Sequence, residues 1–177
     1  MVSKSSCSTG RSLDPILMAD AMLGRLAKWL RLLGFDTLYA GRLPGQGAGS
    51  SARSDHQIAA RARAEGRIVL TRDREMMRRR GIRCLYVESQ VLEEQLVEVI
   101  AALGAPCAPT PRCPQCNEPL AEISPMEARP YVPAYVCKTH ARFHRCSECD
   151  KVYWPGSHWE RIEETIDRVI GKVDKNT

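Results

Sequence analysis

Two cysteine pairs and three aspartates carry the chemistry open to this sequence. Cys113-Pro-Gln-Cys116 and Cys146-Ser-Glu-Cys149 are C-x-x-C knuckles. Each knuckle presents two thiolates to a tetrahedral ion, so the two together make a four-cysteine set for Zn²⁺. Four thiolates leave no open coordination position, so such an ion is structural and catalysis must lie elsewhere. Two disulfides or four buried thiols are the competing reading. It is disfavoured because the polar stretch from Met1 to Arg11 has no apolar h-region, and a cytoplasmic, reducing location is expected. The segment 117–145 between the knuckles exceeds the roughly 15–20 residues usual in such ribbons and leaves room for an inserted hairpin. Cys137-Lys-Thr-His140 and His144 form a rival ligand pattern, able to replace one knuckle or to hold a second ion. Cys7, Cys84 and Cys107 read as ordinary thiols.

The aspartates are Asp20, Asp55 and Asp73. Asp20 and Asp73 each follow a short apolar run that reads as a strand, and Asp55 opens a helix leading into the third strand. In a parallel sheet these positions converge beyond the carboxyl ends of the strands, where open α/β folds place their ligands. Carboxylates gathered there repel one another, and Mg²⁺ or Mn²⁺ with oxygen ligands is the natural compensation. Each also reads as a helix cap or first-turn acid, a role compatible with metal binding. Asp36 falls at the opposite end of the sheet and is excluded. Arg25, Lys28 and Arg31 flank Asp20, while Arg72, Arg74 and Arg78 lie beside Asp73. Such runs are commonly solvated faces, but bordering a metal edge they suit sequence-tolerant binding of single-stranded nucleic acid.

The elements that must position these residues alternate. Ile16 to Ala19, Thr37 to Ala40, Arg67 to Thr71 and Ile82 to Val87 read as strands. Helical spacing runs from Met22 to Leu33, from the Ser54 to Gln57 capping box to Gly66, from Arg74 to Arg80, and from Val91 to Leu103. The expected fold is therefore α/β, a Rossmann-like parallel sheet with helices on both faces, joined to a small C-terminal zinc ribbon. The boundaries are a flexible N-terminus at 1–13, the α/β domain at 14–104, a linker at 105–111 holding Pro106, Pro109 and Pro111, a ribbon with a terminal helix at 112–170, and a tail at 171–177. The Gly/Ser-rich stretch from Gly41 to Arg53 reads as a mobile loop. With 177 residues, 44% of them hydrophobic and 27% charged, the chain can bury a core. Its net charge of +5 admits a polyanionic partner without demanding one. No apolar run approaches the roughly 18 residues of a membrane span.

Three stretches together resemble the Mut7-C ribonuclease family, a PIN-like nuclease domain followed by a zinc ribbon. They are Asp20-Ala-Met-Leu-Gly-Arg-Leu-Ala-Lys-Trp-Leu-Arg-Leu-Leu-Gly-Phe-Asp36, Arg67-Ile-Val-Leu-Thr-Arg-Asp73, and Cys146-Ser-Glu-Cys149-Asp-Lys-Val-Tyr-Trp-Pro-Gly-Ser-His158. The resemblance implies Mg²⁺- or Mn²⁺-dependent hydrolysis of single-stranded RNA by Asp20, Asp55 and Asp73. It also implies a supporting hydroxyl at Thr71, and Glu75 is the candidate for a fourth acid. RNA is then the expected partner, with a ribosome or tRNA as further candidates. The competing function is a non-catalytic RNA- or ribosome-binding module of the same fold. A nucleotide-binding Rossmann enzyme is disfavoured, because Ala19-Asp20-Ala21-Met22-Leu23-Gly24 stands where G-x-G-x-x-G would be needed. The aromatic run from Tyr153 to Trp159 reads either as ribbon core or as a base-stacking surface.

Overall fold

The computed structural model describes residues 14–42, 51–106 and 110–175. The expectations for 1–13, for Cys7 and Cys107, and for 43–50 of the Gly/Ser-rich stretch lie outside these residues.

Four short runs of apolar residues pair as parallel strands: β1 (Leu17–Ala19), β2 (Thr37–Tyr39), β3 (Ile68–Thr71) and β4 (Arg83–Tyr86), in the order β2-β1-β3-β4. β1 and β3 are central and wholly buried, as strands covered on both faces must be. Alternation then divides the side chains between two layers. Leu17, Ala19, Ile68 and Leu70 face one core with α1 (Gly24–Leu32) and α4 (Leu92–Leu103). Met18 and Val69 face the other with α2 (Ser51–Glu65) and α3 (Arg74–Met77).

Three expectations shift here. Helix α2 starts at Ser51, so the Ser54 capping-box pattern falls inside it and Asp55 occupies its second turn. Helix α3 ends at Met77, because the amides of Arg78 and Arg79 turn back to the Glu75 and Met76 carbonyls and Gly81 follows with φ 77°. A 3-10 turn, Ala21–Leu23, joins β1 to α1.

The C-terminal part is an antiparallel sheet of β5 (Leu120–Ile123), β6 (Phe143–Cys146) and β7 (Val152–Tyr153). Between β5 and β6 the chain forms α5 (Pro125–Ala128) and α6 (Ala134–Thr139), so the insertion between the knuckles carries two short helices. Their Ala128, Val132 and Val136 pack with Phe143 into a small separate core. Helix α7 (Ser157–Lys175) leaves this sheet and returns to α4. Val169 is 1% exposed within the large core, and Arg168 and Lys172 both pair with Glu93. The ribbon's terminal helix therefore completes the layer over the parallel sheet and continues to Lys175, through most of the expected tail. No helix among the described residues is long and apolar enough to cross a membrane.

Candidate active site and metal centre

The order β2-β1-β3-β4 makes the chain turn one way out of β1 and the other way into β3, a topological switch point between the two central strands. Asp20 and Thr71 lie there. Ala19 is in register with Leu70, and the Asp20 amide donates to the Leu70 carbonyl at 3.0 Å, which sets Asp20 beside Thr71. The Thr71 hydroxyl accepts from the Asp73 amide at 3.0 Å and lies 2.8 Å from Asp20 Oδ2. Its one proton is therefore directed to the carboxylate. The Ala21 amide donates to Asp20 Oδ1, so both oxygens of this buried group are oriented. Asp73 caps α3 by accepting from the Glu75 amide at 2.8 Å. Capping and edge placement thus coincide in both residues.

Asp55 comes from the facing helix α2. Burial raises its pKa; Arg79, 3.6 Å away, opposes this, and the negative charges of Asp20, Asp73 and Glu75 raise it further. Four acids from three elements thus share one edge with one paired arginine. The Asp55 Oδ2 and Arg79 contact leaves Arg74 and Arg78 exposed beside the acids, with Arg74 over the Tyr86 ring at 5.8 Å. Arg72 Nε is buried without a hydrogen-bond partner. The acidic oxygens are not gathered as tightly as the thiols. Among the described residues, the group whose ligand atoms all fall within 4.8 Å is Cys113, Cys116, Cys146 and Cys149.

That group is built by two similar turns. The Asn117 amide donates to the Cys113 carbonyl at 2.9 Å and the Asp150 amide to the Cys146 carbonyl at 3.0 Å. Asn117 and Asp150 have φ values of 71° and 57°, a left-handed conformation that Asn and Asp tolerate better than other side chains. Cys113 and Cys149 Sγ are 3.7 Å apart, too far for a disulfide of about 2.05 Å but equal to the edge of about 3.8 Å that Zn–S bonds of about 2.3 Å give a tetrahedron. The set can hold zinc. Burial pushes the Cys113 thiol up, but hydrogen bonds from Tyr153 and from the Cys116 and Gln115 backbone prevail and bring it down to about 7. Burial and its crowding against Cys149 and Cys113 push Cys116 up to about 12. Such a conflict between neighbouring thiols is what a shared cation resolves. Among the described residues the rival pattern forms no such group: Cys137 packs beside the small core and His144 lies within β6.

Arg31 needs a correction. Expected with Arg25 and Lys28 on a phosphate-facing surface, it is 3% exposed. Its guanidinium donates to the Thr37 carbonyl at 2.7 Å and to the carbonyls of Pro114 and Gln115 at 2.8 and 3.2 Å. It therefore ties α1 and β2 to the first knuckle. The sequence signal was available, since Arg31 lies one helical turn beyond buried Ala27 on the same stripe. Asn117 was missed altogether. Its Oδ1 accepts from the Thr37 amide at 2.9 Å and its Nδ2 donates to Asp36 at 2.9 Å. Asp36, excluded from the acidic edge, also pairs with Arg67 at 2.6 Å. The side chains of 157–161, including His158 and Trp159, lie outside the described ones.

A parallel α/β sheet with acids at its switch point is thus docked to a ribbon whose four cysteines can hold a metal ion. Residues 15–166 match the Mut7-C RNAse domain, and the chain belongs to that family. Membership brings a ribonuclease-type function and RNA as the substrate class. No curated protein and no solved structure matches the chain.

Proposed function

We propose that the chain is a PIN-like, metal-dependent endoribonuclease that hydrolyses single-stranded RNA at the edge formed by Asp20, Asp55 and Asp73. The observation carrying this reading is the hydrogen-bonded Asp20–Thr71–Asp73 chain at the switch point, with Asp55 and Glu75 adding charge to the same edge. An all-oxygen donor set suits Mg²⁺ or Mn²⁺ rather than zinc. Mg²⁺ keeps several of its waters and needs only one or two direct carboxylates, so the loose spacing of the acids is compatible with it. When bound, the ion supplies Lewis acidity that lowers the pKa of a water and offsets charge on the phosphodiester oxygens.

The protein's own residues prepare this. Thr71 is a positioning residue that holds the Asp20 carboxylate. Asp73 fixes the start of α3, and with it the exposed Arg74 and Arg78, to bind phosphates flanking the cut. Arg72, adjacent to Asp73, adds its positive charge to the same phosphate-binding surface. In this reading the cysteine set carries structural Zn²⁺ and the ribbon assists RNA binding. A four-thiol metal set is also consistent with a reducing compartment such as the cytoplasm.

The wide spacing of the acids favours a second reading, a non-catalytic module that binds RNA or a ribosome through the same surface. Incubating labelled single-stranded RNA with the protein and Mn²⁺ separates the two. Cleavage that disappears in Asp73→Asn supports the nuclease, whereas binding without cleavage by the wild type supports the module.

A further inference from the structure

The two parts of the chain meet along a cleft of about 760 Å³ that none of the acids lines. One wall is the outer face of α1, with Arg25, Lys28 and Trp29, and the other is the ribbon, with Tyr153 and Trp154. The volume is that of an ordinary small-ligand site. Trp29 rests on the large core and Trp154 on the small one, so each indole is anchored on one side and lines the cleft on another. The Tyr153 hydroxyl is engaged by Cys113 Sγ at 3.2 Å, which fixes its ring against the zinc knuckle. Arg25 and Lys28 are exposed, and neither is ion-paired among the described residues. Among the described residues, no carboxylate lines the cleft.

Anchored aromatic rings beside exposed cations, with no carboxylate among the described lining residues, match a nucleotide: a base to stack and a phosphate to pair. Resting on the ribonuclease reading above, we infer that this cleft is a remote subsite holding one nucleotide of the single-stranded RNA substrate. Trp29 lies nine residues beyond Asp20, roughly 15 Å of rise through the 3-10 turn at about 2.0 Å per residue and α1 at about 1.5 Å per residue. At roughly 3.4 Å of rise per nucleotide in a stacked strand, and more in an extended one, the bound nucleotide is a few positions from the one being cut. The ribbon then has a defined role, because Trp154 and Tyr153 form the wall that α1 alone lacks. Charge complementarity favours RNA over an apolar peptide.

The test uses the full-length, zinc-loaded protein and fluorescein-labelled oligouridylates two and twelve nucleotides long, without Mg²⁺ or Mn²⁺. Only the longer strand reaches from the acids to the cleft. Stacking and phosphate pairing together should make it bind at least about tenfold tighter than the shorter one. The Arg25→Glu/Lys28→Glu double variant should lose about tenfold of that advantage. The twelve-nucleotide strand should quench tryptophan emission, and Trp29→Phe should reduce the quench. Zinc content and thermal unfolding verify that each variant is folded. A length advantage preserved in the double variant would overturn the subsite, and so would uridine monophosphate binding as tightly as the long strand. Because binding is read without cleavage, a chain that binds in this way but cuts nothing in Mn²⁺ would overturn the nuclease and leave the subsite standing.

Discussion

Thr71 has one hydroxyl proton, and the Asp73 amide already donates to its oxygen, so the proton is committed to Asp20. Thr71→Val keeps the shape and removes both bonds. The expected result is a fall in kcat of about 10- to 100-fold, the usual effect of losing a group that orients a metal-binding side chain. KM for RNA should change little, and steady-state kinetics in Mn²⁺ checks the split. Asp36 works differently. Burial opposes its ionisation, but the hydrogen bonds from Arg67 and Asn117 prevail and hold its pKa below the ordinary carboxylate value. The ionised form therefore stabilises the fold at every pH above the unfolded value of about 3.9, and that stability disappears as pH falls through the lower folded value. Thermal unfolding of wild type against Asp36→Asn should show a gap at pH 6 that narrows below about pH 4.

The central elements could be read from the sequence for a simple reason. Parallel strands buried on both faces are continuous apolar runs, and Leu17, Met18, Val69 and Leu70 are fully buried. The two knuckles were equally legible, since spacing alone specifies them. What could not be read was set by partners distant in sequence. Arg31 takes its role from carbonyls in the ribbon, and Asn117 from a strand far upstream. In the insertion, Ala128, Val132 and Val136 recur every four residues as one helix would require, but Pro130 and Pro133 break it into two. The terminal helix also owes its stability to the other end of the molecule. Val169→Ala on α7 removes two buried methyl groups and should cost about 2 kcal/mol of whole-chain stability, read as a lower urea midpoint. An unchanged midpoint would mean that α7 does not complete the core of the parallel sheet.

Over the whole molecule, the four-cysteine set is tied to the parallel sheet, at the end opposite the acidic edge. The first knuckle supplies the Pro114 and Gln115 carbonyls to Arg31, and Asn117 to Thr37 and Asp36. Structural zinc contributes about 10 kcal/mol or more to small domains of this kind. Cys146→Ser should therefore lose zinc and also lower the unfolding temperature of the α/β domain, in one cooperative transition seen by both circular dichroism and tryptophan emission. Two separate transitions, with the higher one unmoved, would show that the parts fold independently. Wild-type zinc content in Cys146→Ser would show that the ligand set is wrong.

The proposed active site centres on Asp20, the buried carboxylate at the switch point. Single-turnover cleavage of a single-stranded RNA in Mn²⁺, by wild type and by Asp20→Asn, measures its role directly. Cleavage by the wild type, reduced at least about 100-fold in the variant while zinc content and RNA binding persist, is the expected result. Equal cleavage by both proteins would contradict an active site at this edge.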